Sequence, residues 1–340
     1  MMEYGICRPR RICNGIISAI PMGKVLITGG AGFIGSSLAK IAYQQDWDVT
    51  ILDNLSTGLQ STANELENLG IKVIIGDIRD QDLLHNTLAG FTAVVHLAAQ
   101  VSVPVSVNNP EETMEINVKG TQNVIQACLE NNVQRLVMAS SAAVYGEADN
   151  LPLKEEDAGH VLSPYADSKW ANEQQIFDAR QQGLQATALR FFNVYGAGQR
   201  PDGAYAAVIP KFADMMAKGV APKINGDGLH TRDFVHVDDV SNAIMTLIDG
   251  KWKAEQHHVY NVATQTKITL LDLVAEINDA LTDLVSDFKP LVPTHGPERI
   301  GDIRHSMASI TRISTTLDWA PSKDFKQGID ELVLERINLM

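Results

Sequence analysis

Tyr165 and Lys169 have side chains that could move a proton during catalysis. In SPYADSKW, Ser163 is placed to cap a helix and Pro164 to occupy its first position, so residues 165 and 169 share one helical face. A free phenol has a pKa of about 10, and a neighbouring ammonium lowers that pKa. The pair therefore predicts a phenol suited to general base catalysis, although an ordinary surface pair has the same spacing.

Ser140 and Ser141 could supply a hydroxyl group to the same chemistry. They end RLVMASS, a strand-like segment at 135–141. Ligands of parallel sheets bind outside the carboxyl ends of the strands. There, a hydroxyl can hydrogen-bond a substrate oxygen while Tyr165 moves its proton. From the residues alone, either serine fits this role, and either could instead be a turn residue.

TGGAGFIG at 28–35 contains glycines at i, i+3 and i+6, directly after a strand-like segment and before a helical one. Gly29 permits a tight turn, Gly32 allows a pyrophosphate to approach the backbone, and Gly35 allows close packing of helix on strand. Asp53 ends the next strand, where a carboxylate can accept hydrogen bonds from a ribose diol. Together these residues predict a dinucleotide site.

Asp53 also favours NAD over NADP, because its carboxylate would repel a 2′-phosphate and the following NLSTG contains no Arg or Lys. Asp77 ends the third strand and is either an adenine contact or a turn residue. The positive nicotinamide ring of NAD would add to the effect of Lys169 on the pKa of Tyr165.

The elements that must position these residues alternate between short β-branched strands and amphipathic helices. This alternation predicts an α/β fold, a doubly wound parallel (Rossmann) sheet covered on both faces, over residues 23–192. The predicted strands are KVLIT (24–28), DVTILD (48–53), KVIIGD (72–77), AVVHLA (93–98), RLVMASS (135–141) and ATALRFF (186–192).

The remaining segments predict a smaller C-terminal α/β domain for the substrate, made of residues 193–232 and 264–340. Residues 233–263 read as strand, helix and strand and are expected to return to the sheet. Residues 1–22 read as a disordered extension, or as sequence ahead of a start at Met22. Their three arginines before a weakly apolar stretch only faintly imitate a signal peptide.

Composition excludes several classes of function. The chain has 340 residues, 28 basic and 41 acidic side chains, and a net charge of −13. No basic cluster suited to nucleic acid is present. No apolar run is long enough to span a membrane. Three cysteines and nine scattered histidines predict neither a disulfide framework nor a metal site, and a cytoplasmic location is expected.

TGGAGFIG, SSAAVYG and Tyr165-x-x-x-Lys169 together resemble the extended short-chain dehydrogenase/reductase family, over residues 23–335. Within that family the chain is similar to NAD-dependent nucleotide-sugar 4-epimerases. Enzymes acting on UDP-N-acetylhexosamines are matched best, through GAYAAVIPK (203–211), INGDG (224–228), TRDFVHVDD (231–239) and GDIRHS (301–306). The resemblance implies NAD, a UDP-sugar substrate, and a homodimer built from helices near 105–130 and 164–182.

The resemblance also implies residue roles. Ser141, Tyr165 and Lys169 would be catalytic. The cofactor site would comprise, besides Tyr165 and Lys169, Gly29, Gly32, Phe33, Ile34, Gly35, Asp53, Asn54, Thr57, Gly58, Asp77, Ile78, Leu97, Ala98, Ala99, Asn117 and Ser140. The substrate site would comprise Ser102, Ser141, Ala142, Asn193, Ala207, Val208, Asn225, Arg232, Arg299 and Ser306, with Asn193, Arg232 and Arg299 on the diphosphate.

Ala142, Ala143 and Ser306 bear on the reaction. Related dehydratases and decarboxylases have acidic side chains beside VYG, so Ala142 and Ala143 favour epimerisation. Epimerases of unsubstituted hexoses have a bulky aromatic residue where Ser306 stands, so a serine leaves room for an N-acetyl group. UDP-N-acetylglucosamine is the expected substrate. Epimerisation of UDP-glucose or a UDP-uronate, 4,6-dehydration, and a non-catalytic NAD sensor are the alternatives.

Overall fold

The computed structural model describes residues 10–13, 16–19, 22–147, 150–202, 207–249, 257–298 and 303–340. The first two ranges are described by their backbone, an antiparallel pair of strands β1 (Arg10–Cys13) and β2 (Ile16–Ala19). The sequence predicts disorder in this region. The difference falls on stretches containing isoleucines, whose β-branched side chains favour extended backbone.

Strand and helix alternate through the first half of the chain. The strands are β3 (Lys24–Thr28), β4 (Asp48–Asp53), β5 (Lys72–Ile75), β6 (Ala93–His96), β7 (Arg135–Ser141) and β8 (Gln185–Phe191). The helices are α1 (Phe33–Gln44), α2 (Gln60–Asn68), α3 (Gln81–Thr87), α4 (Val103–Asn108), α5 (Pro110–Met114), α6 (Gly120–Glu130) and α7 (Pro164–Gln181). A π-helical turn covers Glu115–Lys119, and 3₁₀ turns cover Ala142–Tyr145 and Glu155–Asp157.

Shorter strands and longer connections make up the second half. The strands are β9 (Asn193–Tyr195), β10 (Lys223–Asn225), β11 (Thr231–Arg232), β12 (Phe234–His236), β13 (Val259–Val262), β14 (Ile268–Thr269) and β15 (Thr294–Gly296). The helices are α8 (Val208–Ala217), α9 (Val237–Ile248), α10 (Leu270–Leu284), α11 (Thr311–Leu317) and α12 (Phe325–Asn338).

Seven strands form one parallel sheet in the order β13-β8-β7-β6-β3-β4-β5. The predicted doubly wound α/β fold is confirmed. The chain reverses its direction of travel across the sheet between β3 and β6, and ligands bind at such a reversal beyond the strand ends. The ends of β3, β4, β6 and β7 therefore define the expected crevice.

Apolar side chains cover both faces of this sheet. One core packs α1 and α9 on the sheet, through residues such as Leu38 and Ile244, and the other packs α3, α6 and α7, through Val124 and Ile176. Buried on both sides, the strands contain near-continuous runs of apolar residues, as parallel strands usually do. This double burial fixes the strand ends that carry the crevice.

The segment 233–263 divides between two sheets. β13 pairs with β8 at an edge of the seven-stranded sheet, whereas β12 pairs with β9 outside it. The second lobe has a third core, in which α8, α10 and α12 pack through residues such as Phe212, Ile277 and Leu332. Strand pairs β10-β15 and β11-β14 complete this lobe.

Candidate active site

The loop between β3 and α1 has the shape that its glycines predict. Gly29 has a φ of +70°, and a Cβ atom there would lie 2.7 Å from the Ala98 nitrogen. A Cβ atom on Gly35 would lie 2.2 Å from the Gly29 carbonyl oxygen. Gly32 precedes α1 without a side-chain cap, and the first turn of α1 contains no acidic residue. The start of α1 therefore fits a pyrophosphate group.

Asp53 lies beside this loop at the end of β4. Its Oδ2 accepts a hydrogen bond from the Ala31 nitrogen at 2.9 Å, and its Oδ1 accepts one from the Leu55 nitrogen at 2.8 Å. A Cβ atom on Gly58 would lie 2.9 Å from Oδ1, so backbone passes close to the carboxylate. Each carboxylate oxygen has a further lone pair, and the fixed carboxylate therefore fits a ribose diol.

Asp77 is engaged by the turn after β5. Its carboxylate accepts hydrogen bonds from the Arg79 guanidinium at 2.9 and 2.7 Å and from Asn54 Nδ2 at 2.9 Å. The side-chain hydrogen bonds of Arg79 lower the pKa of Asp77 well below its usual range. Asp77 thus has the turn role that the sequence left open, and an additional contact with adenine stays a prediction.

The remaining predicted cofactor residues stand close to these elements. Leu97 and Ala98 donate backbone hydrogen bonds to the Thr28 carbonyl and hydroxyl oxygens, at 3.1 and 3.3 Å. Ile78 is buried against Gly120, where a Cβ atom would lie 2.5 Å from the Ile78 Cδ1. The others lie in α1 or in the segments that follow β4 and β6: Phe33, Ile34, Asn54, Thr57 and Ala99.

Asn117 is buried in the π-helical turn and serves the loop after β6. Its Nδ2 donates to the Gln100 carbonyl and to Ser168 Oγ, both at 2.9 Å, and its Oδ1 accepts from the Gln100 nitrogen at 2.8 Å. The sequence places Asn117 near the cofactor. In the structure both amide hydrogens are used within the protein, so Asn117 holds the loop that borders the crevice.

The start of α7 forms as predicted. Ser163 Oγ accepts a hydrogen bond from the Ala166 nitrogen at 3.1 Å, and Pro164 is the first helical residue. Tyr165 and Lys169 therefore share a helical face, and their exposed fractions are only 9% and 5%. They are a buried pair, which excludes the surface-pair interpretation.

The three predicted catalytic side chains meet where β7 ends and α7 begins. The Tyr165 side chain lies next to Ser141, and the Lys169 Nζ donates to the Ala139 carbonyl oxygen at 3.0 Å. Burial raises the pKa of Tyr165, and the Ser141 hydroxyl opposes that rise. Burial lowers the pKa of Lys169 to about 8, and the charge of Glu173 opposes it.

For the side chains taken alone, the pKa of Tyr165 is thus raised, and its lowering by Lys169 together with the nicotinamide ring stays a prediction. Desolvation penalises the phenolate more strongly than its neighbours stabilise it. Lys169 is also directed to a backbone carbonyl. The largest electrostatic contribution at this site comes from burial, which a helical spacing does not reveal.

Ser140 and Ser141 point to opposite sides of β7, as successive strand residues do. Ser140 Oγ donates to Glu173 Oε1 at 2.5 Å, whereas Ser141 Oγ accepts from the Ala143 nitrogen at 3.2 Å and meets Tyr165. Ser141 is therefore the serine at the crevice. The Ser140 hydroxyl, predicted to lie near the cofactor, is committed to a buried carboxylate.

The sequence analysis did not predict a buried ion pair between β8 and α7. Arg190 on β8 contacts Glu173 on α7 through two hydrogen bonds, at 2.9 and 2.8 Å, and both side chains are at least 98% buried. Arg190 also donates to the Tyr145 hydroxyl at 2.9 Å. This network fixes α7 on the sheet, and only its residue types, without their pairing, are visible in the sequence.

Three of the predicted substrate residues lie together in the second half. Asn193 donates through both its backbone nitrogen and its Nδ2 to the Asp233 carbonyl oxygen, at 3.0 and 3.1 Å. Arg232 precedes Asp233, and the Ser306 nitrogen donates to the Thr231 carbonyl oxygen at 3.2 Å. Asn193 and Ser306 are thus hydrogen-bonded to the backbone of residues 231–233, which includes Arg232.

The buried carboxylate of Asp233 was missed by the sequence analysis. It accepts hydrogen bonds from the Thr264 nitrogen and hydroxyl, both at 2.8 Å, from the Gln265 nitrogen at 3.0 Å and from the Ala308 nitrogen at 3.1 Å. Burial raises its pKa while these bonds oppose the rise. Asp233 thereby ties β12 to the segment that carries Ser306.

The other predicted substrate residues are spread over several elements. Ser102 caps α4 by accepting from the Val105 nitrogen at 3.3 Å. Ala142 begins the 3₁₀ turn after β7, Ala207 and Val208 begin α8, and Asn225 ends β10. Arg299 lies outside the described residues. Their convergence around one ligand stays a prediction.

Comparison with known proteins identifies the family. The model of the NAD dependent epimerase/dehydratase family matches residues 25–263. The chain belongs to the NAD dependent epimerase/dehydratase family. NAD is the cofactor of this family, in agreement with the fit of the glycine loop and Asp53. A UDP-glucose 4-epimerase of Thermus thermophilus, solved in complex with NAD, is 32% identical to this chain. The match covers 92% of this chain and 98% of that chain, with a TM-score of 0.79.

Two further relatives of this epimerase-family chain span almost its whole length. A putative UDP-glucose 4-epimerase of Methanocaldococcus jannaschii is 37% identical over 315 residues, covering 91% of this chain and 97% of that protein. A UDP-N-acetylglucosamine 4-epimerase of Methanobrevibacter ruminantium, solved in complex with UDP-N-acetylmuramic acid, is 36% identical. It covers 94% of this chain and 100% of that chain, with a TM-score of 0.86.

One group of possible metal ligands occurs among the described residues of this epimerase-family protein. His236, Asp238 and Glu331 place ligand atoms within 4.8 Å of one another. The Lys323 ammonium lies 3.4 Å from Asp238 and 2.9 Å from Glu331, so a cation of the protein already pairs with both carboxylates. Across the described ranges, no helix is long and apolar enough to cross a membrane.

Proposed function

We propose that this NAD-dependent UDP-sugar 4-epimerase interconverts UDP-N-acetylglucosamine and UDP-N-acetylgalactosamine. The observation that carries the proposal is the group formed by half-buried Ser141 and buried Tyr165 and Lys169 at the carboxyl end of β7. A hydroxyl, a phenol and an ammonium at the strand ends, where the ligand crevice is expected, support this chemistry. A non-catalytic NAD sensor would have no need of this buried ammonium.

When bound, NAD would supply the redox chemistry, as acceptor and donor of the C4 hydride. Tyr165 removes the proton of the 4-hydroxyl group and later returns a proton to the 4-oxygen, after the sugar has presented the opposite face of C4 for hydride return. Ser141, which lies next to Tyr165, passes that proton or holds the sugar oxygen. Lys169 stabilises the phenolate when it is charged. Between the two half-reactions the 4-keto sugar turns about its diphosphate link, so the protein must hold the diphosphate firmly.

The diphosphate is held by Asn193, Arg232 and Arg299 in our proposal. The hydrogen bonds of Asn193 to Asp233, and the position of Arg232 next to Asp233, support this assignment for the two described residues. Guanidinium groups suit this task because they bind phosphate oxygens in pairs. A pivot held at its phosphates leaves the sugar ring free to rotate.

Ser306 supports an N-acetylated sugar. Its side chain is small, and its backbone is fixed to Thr231 beside Arg232. In our proposal, this small side chain leaves room beside the sugar's 2-substituent for an acetamido group. Relatives also include UDP-glucose 4-epimerases and a UDP-glucuronate 4-epimerase of Arabidopsis thaliana, so UDP-glucose and UDP-uronates are the competing substrates.

Dehydration and decarboxylation are disfavoured by Ala142 and Ala143. These residues begin the 3₁₀ turn that follows Ser141. Elimination of water from C5 and C6 needs an additional acid or base, and neither alanine can supply one. A UDP-N-acetyl-alpha-D-glucosaminuronate decarboxylase of Bacillus cytotoxicus is 31% identical, which makes this distinction worth testing.

A homodimer completes the proposal. Between α5, the π-helical turn and the start of α7 lies a groove of about 880 Å³, lined by residues such as Met114, Val118 and Pro164. Val107 in the adjoining α4 is 60% exposed. If each copy contributes the helical segment near 105–130 and α7, two copies form a four-helix contact that buries this apolar surface. Sedimentation of the purified protein tests whether it is a dimer.

Product analysis with three substrates tests the proposed function. Purified enzyme incubated separately with UDP-N-acetylglucosamine, UDP-glucose and UDP-glucuronate should give the 4-epimer of the N-acetylated sugar with the highest kcat/KM. Faster epimerisation of either other substrate would reject the sugar assignment while leaving the reaction intact. A 4-keto-6-deoxy product would reject epimerisation itself.

A further inference from the structure

His96, at the end of β6, has no role in the chemistry described so far. It is 97% buried and lies between two threonines, with Nδ1 at 2.7 Å from Thr28 Oγ1 and Nε2 at 2.9 Å from Thr121 Oγ1. Both threonines are fully buried or nearly so. A buried imidazole with both nitrogens engaged is a fixed link between the elements that carry its partners.

The neighbouring hydrogen bonds determine which His96 ring nitrogen donates and which accepts. Thr121 Oγ1 donates its single hydrogen to the Asn117 carbonyl oxygen, so it must accept from His96 Nε2–H. The neutral ring then has an unprotonated Nδ1, which accepts from the Thr28 hydroxyl. Thr28 Oγ1 in turn accepts from the Ala98 nitrogen. Burial, aided by the charge of Lys169, lowers the pKa of His96 to about 3, in agreement with a neutral ring.

The path continues from Asn117 to the catalytic helix. Asn117 Nδ2 donates to Ser168 Oγ at 2.9 Å, and Ser168 Oγ donates to the Tyr165 carbonyl oxygen at 2.7 Å. The Asn117 carbonyl also accepts from Asn172 on α7 at 2.8 Å. Every side chain in this series is at least 97% buried. It therefore connects the backbone beside Gly29 to the backbone of Tyr165 without solvent.

We propose that His96 is a positioning residue, which fixes the cofactor loop at Thr28 and the loop after β6 relative to Tyr165 on α7. The inference rests on the proposed function. It adds a residue that keeps the cofactor loop aligned with Tyr165. Epimerisation needs that alignment twice, since Tyr165 must meet the sugar oxygen from either ring face. Small displacements of reacting groups have large effects on rate.

Thr121→Val tests the proposal by removing the acceptor for His96 while keeping shape. We expect kcat to fall about tenfold, equivalent to about 1.4 kcal/mol, with KM for the UDP-sugar and bound NAD per protomer changed less than about twofold. The matched control is Thr187→Val on β8. Thr187 is also buried, and its hydroxyl has no hydrogen-bond partner among the described residues, so kcat should stay at the wild-type value.

His96→Asn provides a second variant, because Asn retains an acceptor for Thr28 and cannot reach Thr121. It should lower kcat like Thr121→Val, and the double variant should be no worse than the slower single one, since both cut the same link. Equal kcat in Thr121→Val and the Thr187→Val control, or additive losses in the double variant, would overturn the proposal.

NMR of isotope-labelled histidine gives a readout that does not depend on turnover. The His96 resonance, assigned by its loss in His96→Asn, should report the neutral Nε2–H tautomer. An Nδ1–H tautomer would contradict the assigned direction even in an active enzyme. If wild-type enzyme epimerised no UDP-hexose, the proposed function would fail, whereas the tautomer would still decide whether the His96 link exists.

Discussion

Burial dominates the chemistry of single residues at this site. Lys169 is 5% exposed, its only hydrogen bond to the described residues goes to a backbone carbonyl, and its pKa falls to about 8. Tyr165 is 9% exposed, and burial disfavours its phenolate too. The site therefore keeps a cation where it is costly for folding and, in our proposal, useful for catalysis.

The variant Lys169→Met tests whether the buried ammonium lowers the stability of the fold. The unfolded chain binds the Lys169 proton up to pH 10.5 and the folded chain only to about pH 8, so the cost of the buried charge is fully present below pH 8 and disappears as the pH rises to 10.5. Methionine removes it. At pH 7 we expect the free energy of unfolding to rise by up to about 3 kcal/mol.

The same variant should lose activity. Without the ammonium that our proposal assigns to stabilising the phenolate, kcat should fall at least about a hundredfold. Urea unfolding at pH 7 and pH 10 measures the stability gain, which should shrink at the higher pH. The control is Lys40→Met, at a solvent-accessible position of α1. A variant that is less stable than wild type at pH 7 would contradict the assigned cost of this charge.

At the scale of elements, α7 is held on the sheet by more than apolar packing. The Glu173 and Arg190 pair joins α7 to β8, and Glu173 also accepts from Ser140 on β7. One carboxylate thus fixes the helix that carries Tyr165 against two adjacent strands. Removing one member of such a pair leaves the other charge buried alone.

Glu173→Gln should therefore be strongly destabilising. We expect a loss of about 3 to 5 kcal/mol in the free energy of unfolding, measured by urea denaturation at pH 7. The control is Lys40→Gln, which breaks the exposed pair of Lys40 with Glu65 at 2.7 Å and should leave the unfolding midpoint in place. A midpoint for Glu173→Gln equal to that of the control would show that the buried pair contributes no stability.

Local patterns predicted the elements that local forces determine. β3, β4 and β7 have the predicted bounds because apolar runs between turn residues define them, and the Ser163 cap starts α7 where its spacing indicates. The loop glycines followed from the strand and helix on either side of them. The bounds of a single strand or helix can thus be predicted from neighbouring residues.

Pairings between distant residues were not predictable in the same way. Thr28 and His96 are separated by 68 residues, and Asp233 and Ala308 by 75. Nothing in the types or spacing of these residues says which polar groups will meet inside the fold. For the same reason the sequence left Ser140 and Ser141 undecided, until the contact with Glu173 separated them.

At the scale of the whole molecule, our proposal assigns complementary parts of one reaction to the seven-stranded sheet and the second lobe. The sheet provides the glycine loop, Asp53 and the buried group around Tyr165, while the second lobe carries Asn193, Arg232 and Ser306. β12 and β13 connect them, because Asp233 binds backbone after β13 and beside Ser306. A sugar that turns between two half-reactions needs such a rigid frame.

The most direct test of epimerisation uses UDP-N-acetylglucosamine carrying deuterium at C4. Because the same hydride leaves C4 and returns to it, the UDP-N-acetylgalactosamine formed in ordinary water should retain its deuterium, as mass spectrometry and NMR would show. Tyr165→Phe should bind as much NAD as wild type and form no product. Loss of the deuterium to solvent, or full turnover by Tyr165→Phe, would contradict the account.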